Sequence, residues 1–352
     1  MRRAYEAAMR AQAAVESLVG SAVPHSSRKD PFAGLVPWEL TTAASLHVPA
    51  ADSTYGAELF EFAGVCHLSD AAPPNLLADC LTAANAHTTA VRKAVTDCGF
   101  DPDGPLGFRF TEACQRGPGR VDLRLLPAPP PPFDDARISG EDAAWMPLVR
   151  RILGDDCKLL FIGLVSTEPG ITTEQALHCD GPHVAPLWRE HEPTRAADGD
   201  QHPCHCLTVF VPLVDLTREN GATSFLPGTH HSAIATAALA SEASEAGTSG
   251  GAGVSARLEL AAGSAVLFDY RLFHAGGANN SDERRPILYL NYARPWFEDE
   301  HNFGYLPLGV DLGGTMKQDA KRDRDGTTRK AGRKLLSNRS VYSHMPFVPC
   351  DL

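Results

Sequence analysis

Two histidines and one aspartate in the second half of the chain have the residue types and spacing of a metal site. His178 and Asp180 stand two residues apart in EQALHCDGPHV, and on a β-strand such side chains point to the same face. A chain with 14 histidines contains about one H-x-D pair by chance, so the pair needs a third ligand to be significant. His274, at the end of the apolar run AVLFDYRLF, supplies one.

This ligand set indicates a particular chemistry. Two imidazoles and one carboxylate on one face of a divalent iron leave three positions open for a chelating cosubstrate and O₂. Arg285 follows His274 by eleven residues, at the start of the next apolar run. A buried arginine binds a carboxylate bidentately and stays charged, so it suits the free carboxylate of a dicarboxylate cosubstrate better than a lysine does. The set therefore predicts an iron oxygenase site.

The elements that position these residues are predicted to be strands. From Lys158 onwards the chain contains short runs rich in β-branched and aromatic residues, separated by Gly, Pro, Asn and Asp. The runs are LLFIGLV, LTVFVPLV, SFLPG, ARLEL, AVLFDY and ILYLNYA. Because no helical pattern separates them, they favour an antiparallel sandwich or jelly roll over a βαβ sheet. Gly263-Ser264 predicts a hairpin, and Arg120–Arg124 predicts a further strand lining the pocket.

The first half of the chain has a helical character. Residues 4–20 and Trp145–Leu153 have helical patterns, and a longer helix is predicted from Pro73 to about Val95, since proline is favoured in a first turn. A short strand is expected at Val65–Leu68. We expect these helices to pack outside a barrel that begins at about residue 158, so the fold class is mainly β with flanking α-helices.

Composition excludes some classes of protein. The net charge of −11 argues against a nucleic-acid partner, because phosphate neutralisation needs surplus Lys and Arg. No apolar run approaches the roughly 20 residues of a membrane span. Nine cysteines, an odd number without a C-x-x-C pair, predict reduced thiols and an intracellular, cytoplasmic location. An organelle transit peptide stays open, although Glu6 and Glu16 count against it.

Three segments together resemble the phytanoyl-CoA dioxygenase family of iron(II)/2-oxoglutarate oxygenases. They are ALHCDGPHV (176–184), VDLTRENGATSFLPGTHHS (214–232) and HAGGANNSDERRPILYLNYARPW (274–296). The family order is H-x-D, then E-N-G-x-x-x-x-x-P-G-[ST]-H, then H followed by R. The middle stretch is carried by Glu219, Asn220, Gly221, Pro227, Gly228, Thr229 and His230. The resemblance covers about residues 55–300.

The resemblance implies a double-stranded β-helix with Fe(II) on His178, Asp180 and His274. It implies 2-oxoglutarate and O₂ as cosubstrates, ascorbate as a supportive reductant, and Arg285 as the partner of the 2-oxoglutarate C5 carboxylate. Many members carry a hydroxyl residue two positions after the distal histidine, where this chain has Gly276. Thr208, Tyr289 or another group is therefore predicted to assist Arg285.

Asp180 bears on the type of reaction. Halogenating members of the superfamily lack the carboxylate ligand, so its presence indicates hydroxylation. We expect a small organic substrate contacted by His183, Arg124 and Trp296, although a surface ion pair is an alternative for Arg124. Substrate identity, oligomeric state and the choice between hydroxylation and desaturation or ring chemistry are left open.

The predicted domain plan has three parts. Residues 1–50 form an N-terminal helix and linker, 55–300 the dioxygenase domain, and 305–352 a basic C-terminal extension. Within the extension, 314–340 is strongly basic and is either a solvated arm or a clamp for an anionic partner. Two alternative functions stay open: a cupin-type iron oxygenase that does not use 2-oxoglutarate, and a catalytically silent binding module on the same barrel.

Overall fold

A computed structural model describes residues 31–32, 34–49, 52–125, 129–181, 190–191, 202–231, 235, 255–299, 302–303 and 308. Three α-helices lie in the first half: α1 (Ser53–Ala63), α2 (Pro74–Asp97) and α3 (Met146–Leu153), preceded by 3₁₀ turns at Pro37–Glu39 and Ala44–Leu46. The strands are β1 (Val65–Leu68), β2 (Ala113–Gln115), β3 (Arg120–Arg124), β4 (Lys158–Thr167), β5 (Cys206–Pro212), β6 (Ser224–Phe225), β7 (Ala256–Arg257), β8 (Ala265–Asp269), β9 (His274–Ala275) and β10 (Arg285–Ala293).

The strands form two antiparallel sheets. The larger sheet has seven strands in the order β1-β8-β5-β10-β4-β3-β2, and the smaller has three in the order β7-β6-β9. An isolated antiparallel bridge between His178 and His274 extends the smaller sheet towards the metal-ligand segment. The predicted jelly roll, a mainly β fold with flanking helices, is thereby confirmed.

The central strand β10 separates two environments. Leu288, Leu290 and Tyr292 belong to the main hydrophobic core, which also contains buried residues of α2 and α3. Arg285 and Tyr289 stand at the alternate positions of β10 and point to the other face, because side chains alternate along a strand. Helices therefore cover one face of the large sheet, and the other face is left for the site.

Local signals explain where the helices begin and end. The Asp52 side chain accepts a hydrogen bond from the Tyr55 backbone N–H and caps α1, and Gly64, with a φ of 77°, ends it. Pro74 stands in the first turn of α2. The predictions for β1, α2 and α3 are confirmed to within two residues.

Two predictions are wrong. The barrel does not begin at about residue 158, because β1, β2 and β3 are already strands of the larger sheet. Gly263-Ser264 does not close a hairpin, because the strands on either side of it lie in different sheets: β7 pairs with β6, whereas β8 pairs with β1 and β5. The predicted helix at 4–20 and the basic 314–340 segment lie outside the described residues. Among the helices in the described part of the chain, none has the length and apolarity needed to cross a bilayer.

Candidate active site

The three predicted metal ligands converge. One donor atom from each of His178, Asp180 and His274 lies within 4.8 Å of the others, and His274 Nε2 is 3.7 Å from Asp180 Oδ1. His178 is held in a two-way backbone pair with His274, with N···O distances of 3.0 and 2.8 Å. His178 thus lies in a single bridge rather than a regular strand, and the pairing with β9 brings the histidines together.

Each imidazole is oriented by a backbone carbonyl. His178 Nδ1 donates to the Ala176 carbonyl at 2.8 Å, and His274 Nδ1 donates to the Leu272 carbonyl at 3.0 Å. Because a carbonyl can only accept, Nδ1 carries the proton in both rings and Nε2 is left to bind a metal. Burial, followed by the neighbouring His274, lowers the pKa of His178, which favours the neutral ligand form.

These donors fit a divalent transition metal. Two imidazole nitrogens and one carboxylate oxygen within bridging distance are the facial set that suits non-haem iron. In the described part of the chain, this is the one group of at least three His, Cys, Asp or Glu side chains with that proximity. Thr208 Oγ1 donates to Asp180 Oδ2 at 3.4 Å, so Thr208 supports a metal ligand.

Arg285 is buried, and no described residue gives it an acidic partner. It is 2 % exposed, and its Nη1 and Nη2 donate to the Gly221 carbonyl and to Thr167 Oγ1, the latter at 2.7 Å. Its Nε has no hydrogen-bond partner among the described residues. Burial and the nearby Arg120 lower the pKa of Arg285 to about 9. A buried, uncompensated guanidinium is costly, so the pocket is suited to an anion.

The hydroxyl beside Arg285 comes from a residue that the sequence analysis missed. Thr167, on β4, is the direct pairing partner of Arg285 on β10. Thr208 and Tyr289 lie further along the sheet, because Thr208 pairs with Asn291 and Tyr289 pairs with Gly163. Their hydrogen bonds go to Asp180 and Asp122 respectively. Only the strand register, which the sequence does not display, identifies Thr167.

The side-chain amide of Gln175 fills the space beside Gly276. The Gly276 N–H donates to Gln175 Oε1 at 3.0 Å, and the Gln175 N–H donates to the Gly276 carbonyl at 2.9 Å. A Cβ at position 276 would lie 2.5 Å from that Oε1 and 3.6 Å from Arg285 Nη2. The glutamine amide therefore fills the space that a hydroxyl side chain would need.

The E-N-G motif has a structural role at this site. Asn220 Oδ1 accepts from the Thr217 N–H at 2.9 Å, and its Nδ2 donates to the Asp215 carbonyl at 2.6 Å. The next residue, Gly221, has a φ of 83° and places its carbonyl on Arg285. The positive φ favours glycine, so the motif shapes the turn that contacts the arginine.

A buried polar network lies on the same face of the large sheet. Tyr289 Oη donates to Asp122 Oδ1 at 2.7 Å, and Arg116 Nε donates to Asp122 Oδ2 at 2.8 Å. Arg116 also donates to the Asn302 carbonyl at 3.1 Å, while Asn302 Nδ2 lies 3.4 Å from the Asp180 carbonyl. The network connects β3 and β10 to the chain beside the metal ligands.

The residues predicted to contact substrate have different positions. Arg124 places its guanidinium 5.5 Å from the ring centroids of both Phe161 and Phe303; within the described chain it has cation–π contacts and no ion pair, so the surface-pair alternative is not supported. The Trp296 ring stacks with the rings of His191 and His205, with centroid distances of 5.4 and 6.2 Å. His183 lies outside the described residues.

Solved structures with similar chain traces share little sequence with this protein. AviO1 from Streptomyces viridochromogenes Tue57 is 18% identical, with 74% of this chain and 100% of that chain covered at a TM-score of 0.46. HygX from Streptomyces hygroscopicus, with nickel and 2-oxoglutarate bound, is 16% identical, with 74% and 97% covered at a TM-score of 0.44. The epimerase SnoN from nogalamycin biosynthesis is 18% identical, with 76% and 91% covered at a TM-score of 0.42.

A family model carries more weight. The model for phytanoyl-CoA dioxygenase (PhyH) matches residues 60–287, which is more than half of the 352 residues. The matched range contains His178, Asp180, His274 and Arg285. The predicted use of iron, 2-oxoglutarate and O₂ follows from this membership and agrees with the donor set. The chain therefore belongs to the phytanoyl-CoA dioxygenase family and is a 2-oxoglutarate-dependent non-haem iron oxygenase.

Proposed function

We propose that this protein hydroxylates a small organic molecule and converts 2-oxoglutarate to succinate and CO₂. One atom of O₂ enters succinate and the other enters the product, so the substrate gains one hydroxyl and no further reductant is consumed. The observation that carries the proposal is the convergence of His178, Asp180 and His274 within 4.8 Å, on the barrel that also buries Arg285.

Each of the three ligand residues would contribute one donor atom to the metal. His178 and His274 present Nε2 because their Nδ1 atoms are occupied by carbonyls, and Asp180 contributes a carboxylate oxygen steadied by Thr208. Iron bound there, with 2-oxoglutarate and O₂, supplies an oxidant able to replace a C–H hydrogen by a hydroxyl group. Because Asp180 fills the third protein position, a halide ligand has no place at the metal.

Arg285 would hold the far carboxylate of 2-oxoglutarate. Burial excludes water from the guanidinium, which strengthens an ion pair formed inside the pocket. The contact with Thr167 orients one edge of the guanidinium, and the contact with Gly221 orients another. The cosubstrate would then span from Arg285 to the metal.

The substrate would lie against the aromatic and cationic residues of the large sheet. Phe161 and Tyr289 meet edge to face with a centroid distance of 6.2 Å, and Phe161 and Phe303 do so at 6.0 Å. Arg124 packs against two of these rings and offers a positive charge. This group of side chains suits an organic molecule with apolar surface and supports the proposed substrate contact of Arg124.

Turnover of 2-oxoglutarate without added substrate tests the proposal. Purified protein with Fe(II), ascorbate and 2-oxoglutarate should form succinate, and His178→Ala should lose both iron binding and succinate formation while staying folded. His87→Ala, on the outer helix α2, is the matched control and should keep both. Addition of the true substrate should accelerate succinate formation and yield a product heavier by one oxygen.

Other outcomes would separate the alternatives. Absence of iron binding by the native protein would reject the proposal. Iron binding with oxygen consumption but no dependence on 2-oxoglutarate would favour the cupin-type oxygenase. Iron and 2-oxoglutarate binding without succinate, across a broad panel of substrates, would favour the binding module.

A further inference from the structure

Two arginines, rather than one, are buried at the end of the sheet where the cosubstrate carboxylate would lie. Arg120 on β3 and Arg285 on β10 are both paired in register with Thr167 on β4. Directly paired residues share a face of the sheet, so the two arginines flank Thr167 on the same side, with Cα atoms about 10 Å apart across two strand spacings. Each arginine is 2 % exposed.

Neither arginine has an acidic hydrogen-bond partner among the described residues. Arg120 Nη2 donates to the carbonyls of Gly277 and Thr173 at 2.6 and 3.0 Å, and Arg285 donates to a carbonyl and a hydroxyl. The Nε atoms of both have no partner. Burial lowers the pKa of Arg120 to about 10, and Glu174 only partly offsets this shift. Glu174 is itself paired with Arg257 at 2.8 Å.

Two other arginines inside this fold are paired with carboxylates. Arg271 is paired with Asp269 at 2.7 Å, and Arg116 is paired with Asp122 at 2.8 Å. Leaving two like charges buried side by side without an anion is unfavourable, because both desolvation and mutual repulsion oppose it. The two uncompensated guanidiniums therefore indicate a site for an anion between them.

We propose that Arg120 is a second anchor for the C5 carboxylate of 2-oxoglutarate, so that Arg120, Arg285 and Thr167 together form the carboxylate cradle. This inference rests on the proposed function for the identity of the anion. It also accounts for Gly276: with the Gln175 amide filling that position, the cradle is completed from β3 and β4 instead of from the residue two after His274.

The alternative role for Arg120 is purely structural, since it joins the Thr173 and Gly277 carbonyls. The two roles predict different effects of an Arg120 substitution on the affinity for ligands with and without the second carboxylate. A structural arginine would affect both kinds of ligand equally. An anchor would affect only the dicarboxylate.

Calorimetric titration of the Ni(II)-loaded protein, which does not turn over, can separate these roles. The ligands are 2-oxoglutarate and 2-oxopentanoate, which keeps the metal-chelating end and lacks the second carboxylate. In Arg120→Gln, the Kd for 2-oxoglutarate should rise about tenfold or more, as expected for the loss of a charged hydrogen bond, while the Kd for 2-oxopentanoate stays unchanged. Arg137→Gln, at an exposed ion pair with Asp135, is the control.

The thermal unfolding of the ligand-free variant provides an independent measurement. Arg120→Gln removes one of two adjacent like charges, so the Tm of the ligand-free variant should stay close to that of the native protein. The increase in Tm that 2-oxoglutarate causes should be smaller in the variant than in the native protein. If this variant does not fold, Arg120→Lys can replace it, because lysine keeps the positive charge but lacks the bidentate geometry of the guanidinium. Arg120→Lys should still lower the affinity for 2-oxoglutarate and leave that for 2-oxopentanoate unchanged. Equal affinity for 2-oxoglutarate in a folded variant would overturn the inference. Failure of the native protein to bind 2-oxoglutarate would instead overturn the proposed function.

Discussion

Thr167 Oγ1 lies 2.7 Å from Nη2 of Arg285, and the two residues face each other across strands β4 and β10. Thr167 is fully buried, so its hydroxyl is a fixed partner for the guanidinium. In the proposed site, this pair would supply, from a neighbouring strand, the hydroxyl that many family members carry two residues after the distal histidine.

Thr167→Val tests the importance of this contact. The substitution keeps the shape and removes the hydroxyl, so a buried guanidinium N–H loses its acceptor at a cost of about 1–3 kcal/mol. We expect a lower free energy of unfolding and a several-fold higher KM for 2-oxoglutarate. Denaturant unfolding and succinate formation measure the two effects.

Thr88→Val is the matched control. Thr88 is also fully buried, on α2, but its Oγ1 has no hydrogen-bond partner among the described residues. Its replacement should leave the KM unchanged and should not destabilise the protein. Equal effects of the two substitutions would show that the Thr167 contact has no special role.

Restoring a hydroxyl at position 276 should be harmful. In Gly276→Ser the new Cβ would meet Gln175 Oε1 at 2.5 Å, so the amide would have to move and lose its hydrogen bond from the Gly276 N–H, at a cost of about 0.5–1.5 kcal/mol. We expect a lower Tm and a weaker affinity for 2-oxoglutarate. The double variant Gly276→Ser with Gln175→Ala should recover both, because the side chain that causes the clash is gone. A fully stable single variant would contradict this account of the pocket.

Metal binding should stabilise the folded state. The ligand-free protein brings two imidazoles and a carboxylate together, and a metal at 100 times its Kd would stabilise that state by about 2.7 kcal/mol if it does not bind the unfolded chain. We expect Ni(II) to raise the Tm and a chelator to reverse the change. Asp180→Ala should abolish the response, whereas Asp97→Ala, at an exposed helical pair, should preserve it.

His230 should make stability sensitive to pH. Burial, followed by His231, holds the pKa of His230 well below its usual value, while its Nε2 lies 2.9 Å from the Glu61 carbonyl. Below about pH 6.5 the unfolded chain therefore binds a proton that the folded chain does not, so stability falls as the pH falls.

His230→Gln isolates this contribution. The variant should be less stable than the native protein at pH 7, because the shape of the side chain is altered, but should lose less stability between pH 7 and pH 5. The difference between the two proteins should shrink by up to about 2 kcal/mol over that range. Urea unfolding of chelator-treated samples measures it, and parallel pH profiles would rule out His230 as the titrating group.

The strand runs, the helix starting at Pro74 and the ligand set could be predicted because each depends on local pattern. A run rich in β-branched residues predicts a strand without any knowledge of the strand it pairs with. An H-x-D pair followed by a histidine and an arginine can likewise be read directly from the sequence. Pairing is different. The hairpin at Gly263-Ser264 was wrong because a turn signal does not say whether the strands beside it join the same sheet.

By itself, the sequence determined the candidate metal ligands, the candidate cosubstrate arginine and the β-rich class, since these are properties of residue type and spacing. Only the tertiary structure decided which groups surround Arg285. The register of β3, β4 and β10 places Thr167 and Arg120 there and moves Thr208 and Tyr289 towards Asp180 and Asp122. Residues more than 100 positions apart become neighbours because backbone hydrogen bonds between strands set the register, and no single segment encodes it.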